Sequence, residues 1–326
     1  MSDQPGRMLY GSRSKVGGSS MNTFQVANLP GQDAFGAVVT ELSPQSLDDP
    51  KTRKALYDLW IEKGVIVFKE MSGLDTQLRL SEIFGEPEIH PLLVGVDRPR
   101  EHKVIADIEY DEEDGDLYEI NGELRGGFLP WHFDLAYMDR INHGGILRPE
   151  TLPNIGGETG FIDRVAVYAL LPLELRQRIE NLSVICQYAI DSSKAKFGER
   201  PDKCLRLSRN IKMAAAHPSV QTRVIHPLVY SQAETGRKVL NISPWHAVAI
   251  EGMENEEGDA ILREVVAYAI RPDLAYIHKW SKNDMVLWDN WRMLHSARGV
   301  PPGERRRMRR TTIAGDYALG RREKVA

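Results

Sequence analysis

The chain is poor in cysteine: its 326 residues include two, Cys186 and Cys204. Two are too few for a disulfide framework or a cysteine-built zinc site, and their spacing fits no ligand motif. A reducing, cytoplasmic compartment is the simpler expectation. Long apolar runs are missing as well. No stretch of about 18 apolar residues occurs, so no membrane-spanning helix is expected. An excess of one charge is also missing, since 42 basic and 46 acidic residues leave a net charge of −4. Nothing in the bulk charge draws the chain to nucleic acid or to an anionic membrane. There is no G-x-G-x-x-G after a strand and no P-loop, so nucleotide-binding folds are not favoured. No internal repeat appears.

What is present suits a packed core, with 42% hydrophobic and 27% charged residues. Residues 1–21 are rich in Gly and Ser and lack an apolar run. They read as a flexible N-terminal tail rather than a signal peptide, with a single domain over 22–326. The segment 48–64, "DDPKTRKALYDLWIEKG", has an acidic start, apolar Leu56, Leu59 and Trp60, and a closing Gly64, which predicts a helix. "VIVFK" (65–69) follows as a buried strand, and 74–85 as a second helix. "DEEDGD" (111–116) reads as a solvated loop.

Beyond it the pattern changes. Short strand candidates stand at 127–134, 158–163, 226–231, 238–243, 284–290 and 306–316, punctuated by Gly and Pro. "AETG" (233–236) predicts a hairpin turn, and Pro172 divides the helical stretch 165–182 in two. Many short strands with a few outer helices predict a mainly β fold, an antiparallel barrel or jelly roll with flanking helices.

Within "PWHFD" (130–134), His132 and Asp134 share one face of a strand while Phe133 points away. An imidazole and a carboxylate are two of the three ligands in the 2-His-1-carboxylate arrangement that holds Fe(II) with open positions. A hydrogen-bonded or solvated pair is the competing reading of so short a motif. The third ligand is open among the other histidines, including His90, His226 and His295, each of which reads equally as structural. In "ERRRMRRTTIAGD" the period of two puts Arg306, Met308, Arg310 and Thr312 on one face, with Arg305, Arg307 and Arg309 on the other. The run continues into a buried-looking strand. A guanidinium held inside needs an anion, and its fork matches a carboxylate.

Seven motifs in order then carry a family likeness: "GVIVFKE", "FGEPEIHP", "WHFDLAYM", "NIGGETGFID", "HPLVYSQAETGRKVLNIS", "VLWDNWRMLHSA" and "RRMRRTTIAGD". From about residue 25 to its end the chain resembles the taurine/chlorophenoxyacetate dioxygenase (TauD/TfdA-like) family of Fe(II)- and 2-oxoglutarate-dependent oxygenases. The resemblance implies a double-stranded β-helix (jelly roll) core. It implies His132, Asp134 and His295 as iron ligands, with Thr159 and Arg306 holding the distal carboxylate of 2-oxoglutarate. Arg310 is a second arginine, for an anionic substrate or, with the two roles exchanged, for the co-substrate. The implied cofactors are Fe(II), 2-oxoglutarate and O2.

The implied reaction is oxidation of a C–H bond in a small, anionic substrate with release of succinate and CO2. Hydroxylation is favoured because Asp134 is a carboxylate, whereas halogenating relatives have a small residue there. Desaturation and cyclisation begin from the same hydrogen abstraction. The resemblance also implies a homo-oligomer, dimer or tetramer.

Phe133, Tyr137 and Trp291 are candidates to face substrate beside Arg310, as are Trp131 and Trp245, with core packing as the competing reading. The family often has a small polar residue where Phe133 stands. Segment 186–225 matches no family motif, and its length predicts a lid over the site. Lys194 and Arg200 within it are candidate anion contacts. Three rivals remain: a zinc-dependent hydrolase using the same triad, a non-catalytic small-molecule binding protein on this fold, and nucleic-acid binding through 305–310.

Overall fold

Asp49 opens the first long helix, Pro50–Lys63, by accepting the Thr52 amide at 2.9 Å. Gly64 closes it at φ 75°, a left-handed conformation that costs glycine little. Leu56 and Trp60 face inward, and the buried strand Val65–Phe68 follows directly. The computed structural model describes residues 23–94, 101–215 and 217–324, so the expected tail at 1–21 lies outside the described residues. The second helix spans Leu74–Phe84. Pro172 separates helices Arg164–Leu170 and Leu173–Ile179 as expected.

Two sheets carry the architecture. The larger has eight strands in the order Gln25–Leu29, Gln32–Thr40, Val65–Phe68, Met285–Asp289, Gly144–Thr151, Arg306–Ile313 and Pro87–Glu88, with Ile105–Tyr110 also paired to Arg306–Ile313. The other has six: Lys203–Arg206, Leu117–Ile120, Glu123–His132, Met293–Val300, Thr159–Asp163 and Tyr276–His278. Leu147, Val286, Trp288 and Met308 of the larger sheet share one apolar cluster with Phe161 and Met293 of the smaller. The two sheets therefore pack face to face. A four-stranded sheet and the hairpin Val229–Ser231/Lys238–Leu240 lie beside them. The fold is mainly β with few helices.

Two expectations change. The strand read over 226–231 breaks at Leu228 into Val224–Pro227 and Val229–Ser231, which belong to different sheets. Segment 186–225 holds more structure than its sequence suggests. Lys203–Arg206 adds an antiparallel strand beside Leu117–Ile120, and Arg209–Ala215 is helical. Among the described residues no helix is long and apolar enough to cross a membrane.

Candidate metal centre

His132 is the last residue of its strand, and its direct partner in the antiparallel register is His295. Partnered residues project to the same face at close range, and the two imidazole centroids are 4.2 Å apart. His132 Nδ1 lies 2.7 Å from the Pro130 carbonyl, which fixes the ring and leaves Nε2 for the cavity. That Nε2 is 3.7 Å from Asp134 Oδ1, and His295 Nε2 is 3.5 Å from Asp134 Oδ2. One ligand atom from each of the three buried residues falls within 4.8 Å of the others. Asp134 Oδ2 has no hydrogen-bond partner. Two imidazoles and an unsatisfied buried carboxylate fit a divalent transition metal with positions to spare.

Strand alternation does not explain Asp134, because the strand ends at His132. Asn290 does. Its Oδ1 accepts the Asp134 amide at 2.7 Å, and its Nδ2 donates to the Asp134 carbonyl at 3.1 Å. One carboxamide thus satisfies both backbone groups, as a neighbouring strand would. Leu135 then turns at φ 60°.

Phe133 and Trp291 are corrections. Phe133 is 1% exposed and belongs to the apolar core, with the Arg164 guanidinium 4.3 Å from its ring centroid. Arg164 is itself fixed by the carbonyls of Asn290, Trp291 and Arg292. The Phe133 side chain therefore packs in the core instead of facing the triad. Trp291 stacks on His143 at 3.7 Å and donates to the Ile141 carbonyl, so it packs rather than faces the centre.

Arg310 Nη2 stands 2.8 Å from Asp134 Oδ2. Burial alone would raise the Asp134 pKa, but Arg310 and the two histidines outweigh it and hold the carboxyl well below the usual range. Burial, His132 and Arg310 push His295 down to about 4 against the pull of Asp134. His90 falls to about 3 through burial and Arg310, again opposed by Asp134.

A second group lies on the same strand as Arg310. Arg306 donates through Nε to the Gly157 carbonyl at 3.1 Å and reaches Thr159 Oγ1 through Nη2 at 3.5 Å. Gly157 permits this approach: a Cβ there would sit 3.1 Å from Arg306 Cδ, and its φ is 79°. Burial lowers Arg306 to about 10, opposed by Glu158. Met308, between the two arginines, is core.

The model of the "Taurine catabolism dioxygenase TauD, TfdA family" matches residues 25–312. The chain belongs to this family. It is 31% identical to a protein of Sphingobium herbicidovorans named (S)-phenoxypropionate/alpha-ketoglutarate-dioxygenase, over 87% of this chain and 93% of that one. It is 30% identical to the alpha-ketoglutarate-dependent 2,4-dichlorophenoxyacetate dioxygenase of Cupriavidus pinatubonensis, over 90% and 99%. A taurine dioxygenase from Burkholderia xenovorans shares the fold, with a TM-score of 0.69 at 21% identity over 93% and 97% of the two chains. The chain is thus an enzyme of the alpha-ketoglutarate-dependent dioxygenase class.

Around the triad this TauD/TfdA member builds an aromatic wall. Trp245 meets His132 edge-on at 5.2 Å, and His246 does so at 5.8 Å. Tyr137 lies 5.2 Å from His246 and 4.8 Å from Tyr188. Tyr188 and Val220, both from segment 186–225, pack with Leu135, Tyr137 and Met138. Trp131 packs in the core. Lys194 pairs with Asp191 at 3.8 Å and Arg200 donates to the Ala195 carbonyl, so each is engaged within its own segment.

Sequence reading missed three residues: Asn290, His246 and Trp280, the last donating to Thr159 Oγ1 at 3.0 Å; His90, weighed there as a ligand, stands outside the triad. Asn290 fell at the end of the strand candidate 284–290, where no local signal marks its reach to Asp134. Nothing local marks Trp280, which is 121 residues from Thr159.

Proposed function

We propose that the chain is an Fe(II)- and 2-oxoglutarate-dependent dioxygenase on a jelly-roll core. Its reaction is the oxidation, as hydroxylation, of an unactivated C–H bond in a small anionic substrate, with release of succinate and CO2. The observation that carries this reading is the convergence of His132, Asp134 and His295 on one buried point. Bound there, Fe(II) supplies the coupling of O2 reduction to 2-oxoglutarate decarboxylation and substrate oxidation.

The residues do the rest. His295, with its pKa near 4, is neutral at pH 7 and ready to ligate without first losing a proton. Arg306 and Thr159 bind the distal carboxylate of 2-oxoglutarate, and their contact supports giving that role to Arg306. Arg310, beside the triad, is the charge partner for an anionic substrate. Relatives named for phenoxypropionate and 2,4-dichlorophenoxyacetate accord with this. Tyr137, Trp245 and Tyr188 exclude water and orient the substrate.

A zinc hydrolase would have no use for a buried carboxylate clamp. Nor does the arginine run suit nucleic acid, because Asp107, Glu109 and Glu101 already pair with Arg307 and Arg309.

The test is a screen of organic acids with Fe(II), 2-oxoglutarate and O2, reading succinate. Substrate-stimulated succinate that needs both iron and oxygen is expected. Hydrolysis supported by zinc without oxygen would overturn the reading.

A further inference from the structure

A threonine hydroxyl has one hydrogen to donate and two lone pairs that accept. Two groups address the lone pairs of Thr159: Trp280 Nε1 at 3.0 Å and Arg306 Nη2 at 3.5 Å. Indole N–H and guanidinium can only donate. With both in place the hydroxyl is left with its hydrogen, and among the described residues no acceptor takes it. Thr159 is 5% exposed, so the hydrogen is not directed into bulk water.

Trp280 is held firmly. Its ring meets His278 edge-on at 4.6 Å. His278 contacts the Tyr276 hydroxyl at 3.1 Å and lies 3.3 Å from Asp284 Oδ2. Asp284 is gripped by Lys69 and accepts the Ser281 amide at 3.1 Å, which closes the turn just after Trp280. His278 is also the cross-strand partner of Thr159, and the tryptophan follows two residues beyond the end of that strand.

We propose that Trp280 is a positioning residue for the co-substrate: its indole N–H occupies a lone pair of Thr159 and so aims the Thr159 hydroxyl hydrogen at the distal carboxylate of 2-oxoglutarate. This rests on reading Thr159 and Arg306 as the carboxylate site. The result is a cleft that only donates, which suits a carboxylate and disfavours an uncharged end group that must itself donate, such as a carboxamide. Without the indole, the hydroxyl can rotate and offer a lone pair instead.

The test is a double-mutant cycle on the Fe(II)-loaded enzyme without oxygen, titrated with 2-oxoglutarate by calorimetry. Thr159→Val is expected to weaken binding about tenfold, the scale of one hydrogen bond to a charged group. Trp280→Phe is expected to weaken it severalfold when Thr159 is present and to have no effect in the Thr159→Val background. Iron affinity should be the same in all four proteins. Should Trp280→Phe not fold, Trp280→Leu, which also lacks an N–H, takes its place.

Equal losses from the tryptophan change in both backgrounds would reduce Trp280 to a packing residue and overturn the proposal, as would parent affinity in Trp280→Phe. Parent affinity in Thr159→Val would instead overturn the carboxylate-site reading beneath it.

Discussion

Arg310 Nη2 stands 2.8 Å from Asp134 Oδ2, yet neither Nη2 nor Nε of that guanidinium completes a hydrogen bond. The charges attract without the directional contact that would lock them together. Such an arginine has donors to give to an incoming anion. Arg310→Met is therefore expected to raise KM for an anionic substrate by about 10 to 100-fold, the scale of a charge-assisted hydrogen bond. Its affinity for 2-oxoglutarate should stay within about threefold of the parent, because Arg306 remains. Steady-state kinetics beside an anaerobic 2-oxoglutarate titration separates the two. A loss confined to 2-oxoglutarate would mean that the two arginines have exchanged roles.

Asn290 holds Asp134 by both backbone groups, across 156 residues of chain. Asn290→Ala removes that hold and leaves His132, Asp134 and His295, the proposed ligands, unchanged in sequence. Metal affinity is expected to fall by about 10 to 100-fold, as for other residues that orient ligands. Equilibrium dialysis with Mn(II) reads this directly, with Asp134→Ala as the stronger comparison. Unchanged affinity would show that Asp134 needs no outside support.

Asp289 is fully buried, and burial pushes its pKa from 3.8 up to about 7 against the pull of Arg292 and Arg164. The folded state thus keeps a proton that the unfolded chain releases. Its stabilising contribution is complete below about pH 4, is lost as pH rises to about 7, and is constant above. Buried His143 and His226, lowered to about 3 and 4, act in the opposite sense. A difference measurement isolates the aspartate. The melting temperature of Asp289→Asn minus that of the parent should climb between pH 4 and 7 and then level off. A difference independent of pH would contradict the raised pKa.

Within the candidate lid segment 186–225, residues 187–223 run between the paired strands Ser183–Cys186 and Val224–Pro227 and bring Tyr188 and Val220 to the aromatic wall. We expect this stretch to act as a lid. Amide exchange around Tyr188 and Val220 should slow when 2-oxoglutarate and substrate bind to the iron-loaded enzyme. Exchange unaffected by either ligand would remove the lid role.

Much of the centre could be read from short segments. Caps at Asp49 and Gly64 bound a helix, Pro172 splits another, and a period of two sends Arg306 and Arg310 to one face. Each is a local rule, acting over a few residues. Phe133 shows where a local rule stops. Alternation turned it from the ligands, but what it would meet there was not local, and the structure fills that side with core and Arg164.

The amino-acid sequence by itself determined which candidate groups stand close along the chain: an imidazole and a carboxylate one residue apart, and two guanidiniums on one side of a buried strand. The residues alone left the third histidine open, and only the family resemblance pointed to His295; tertiary structure set it opposite His132 and decided what holds Asp134 once its strand has ended and which indole reaches Thr159. The reason is physical. Periodicity encodes the face on which a side chain lies, whereas its neighbour across the sheet is chosen by strand pairing and by packing of segments far apart in the chain.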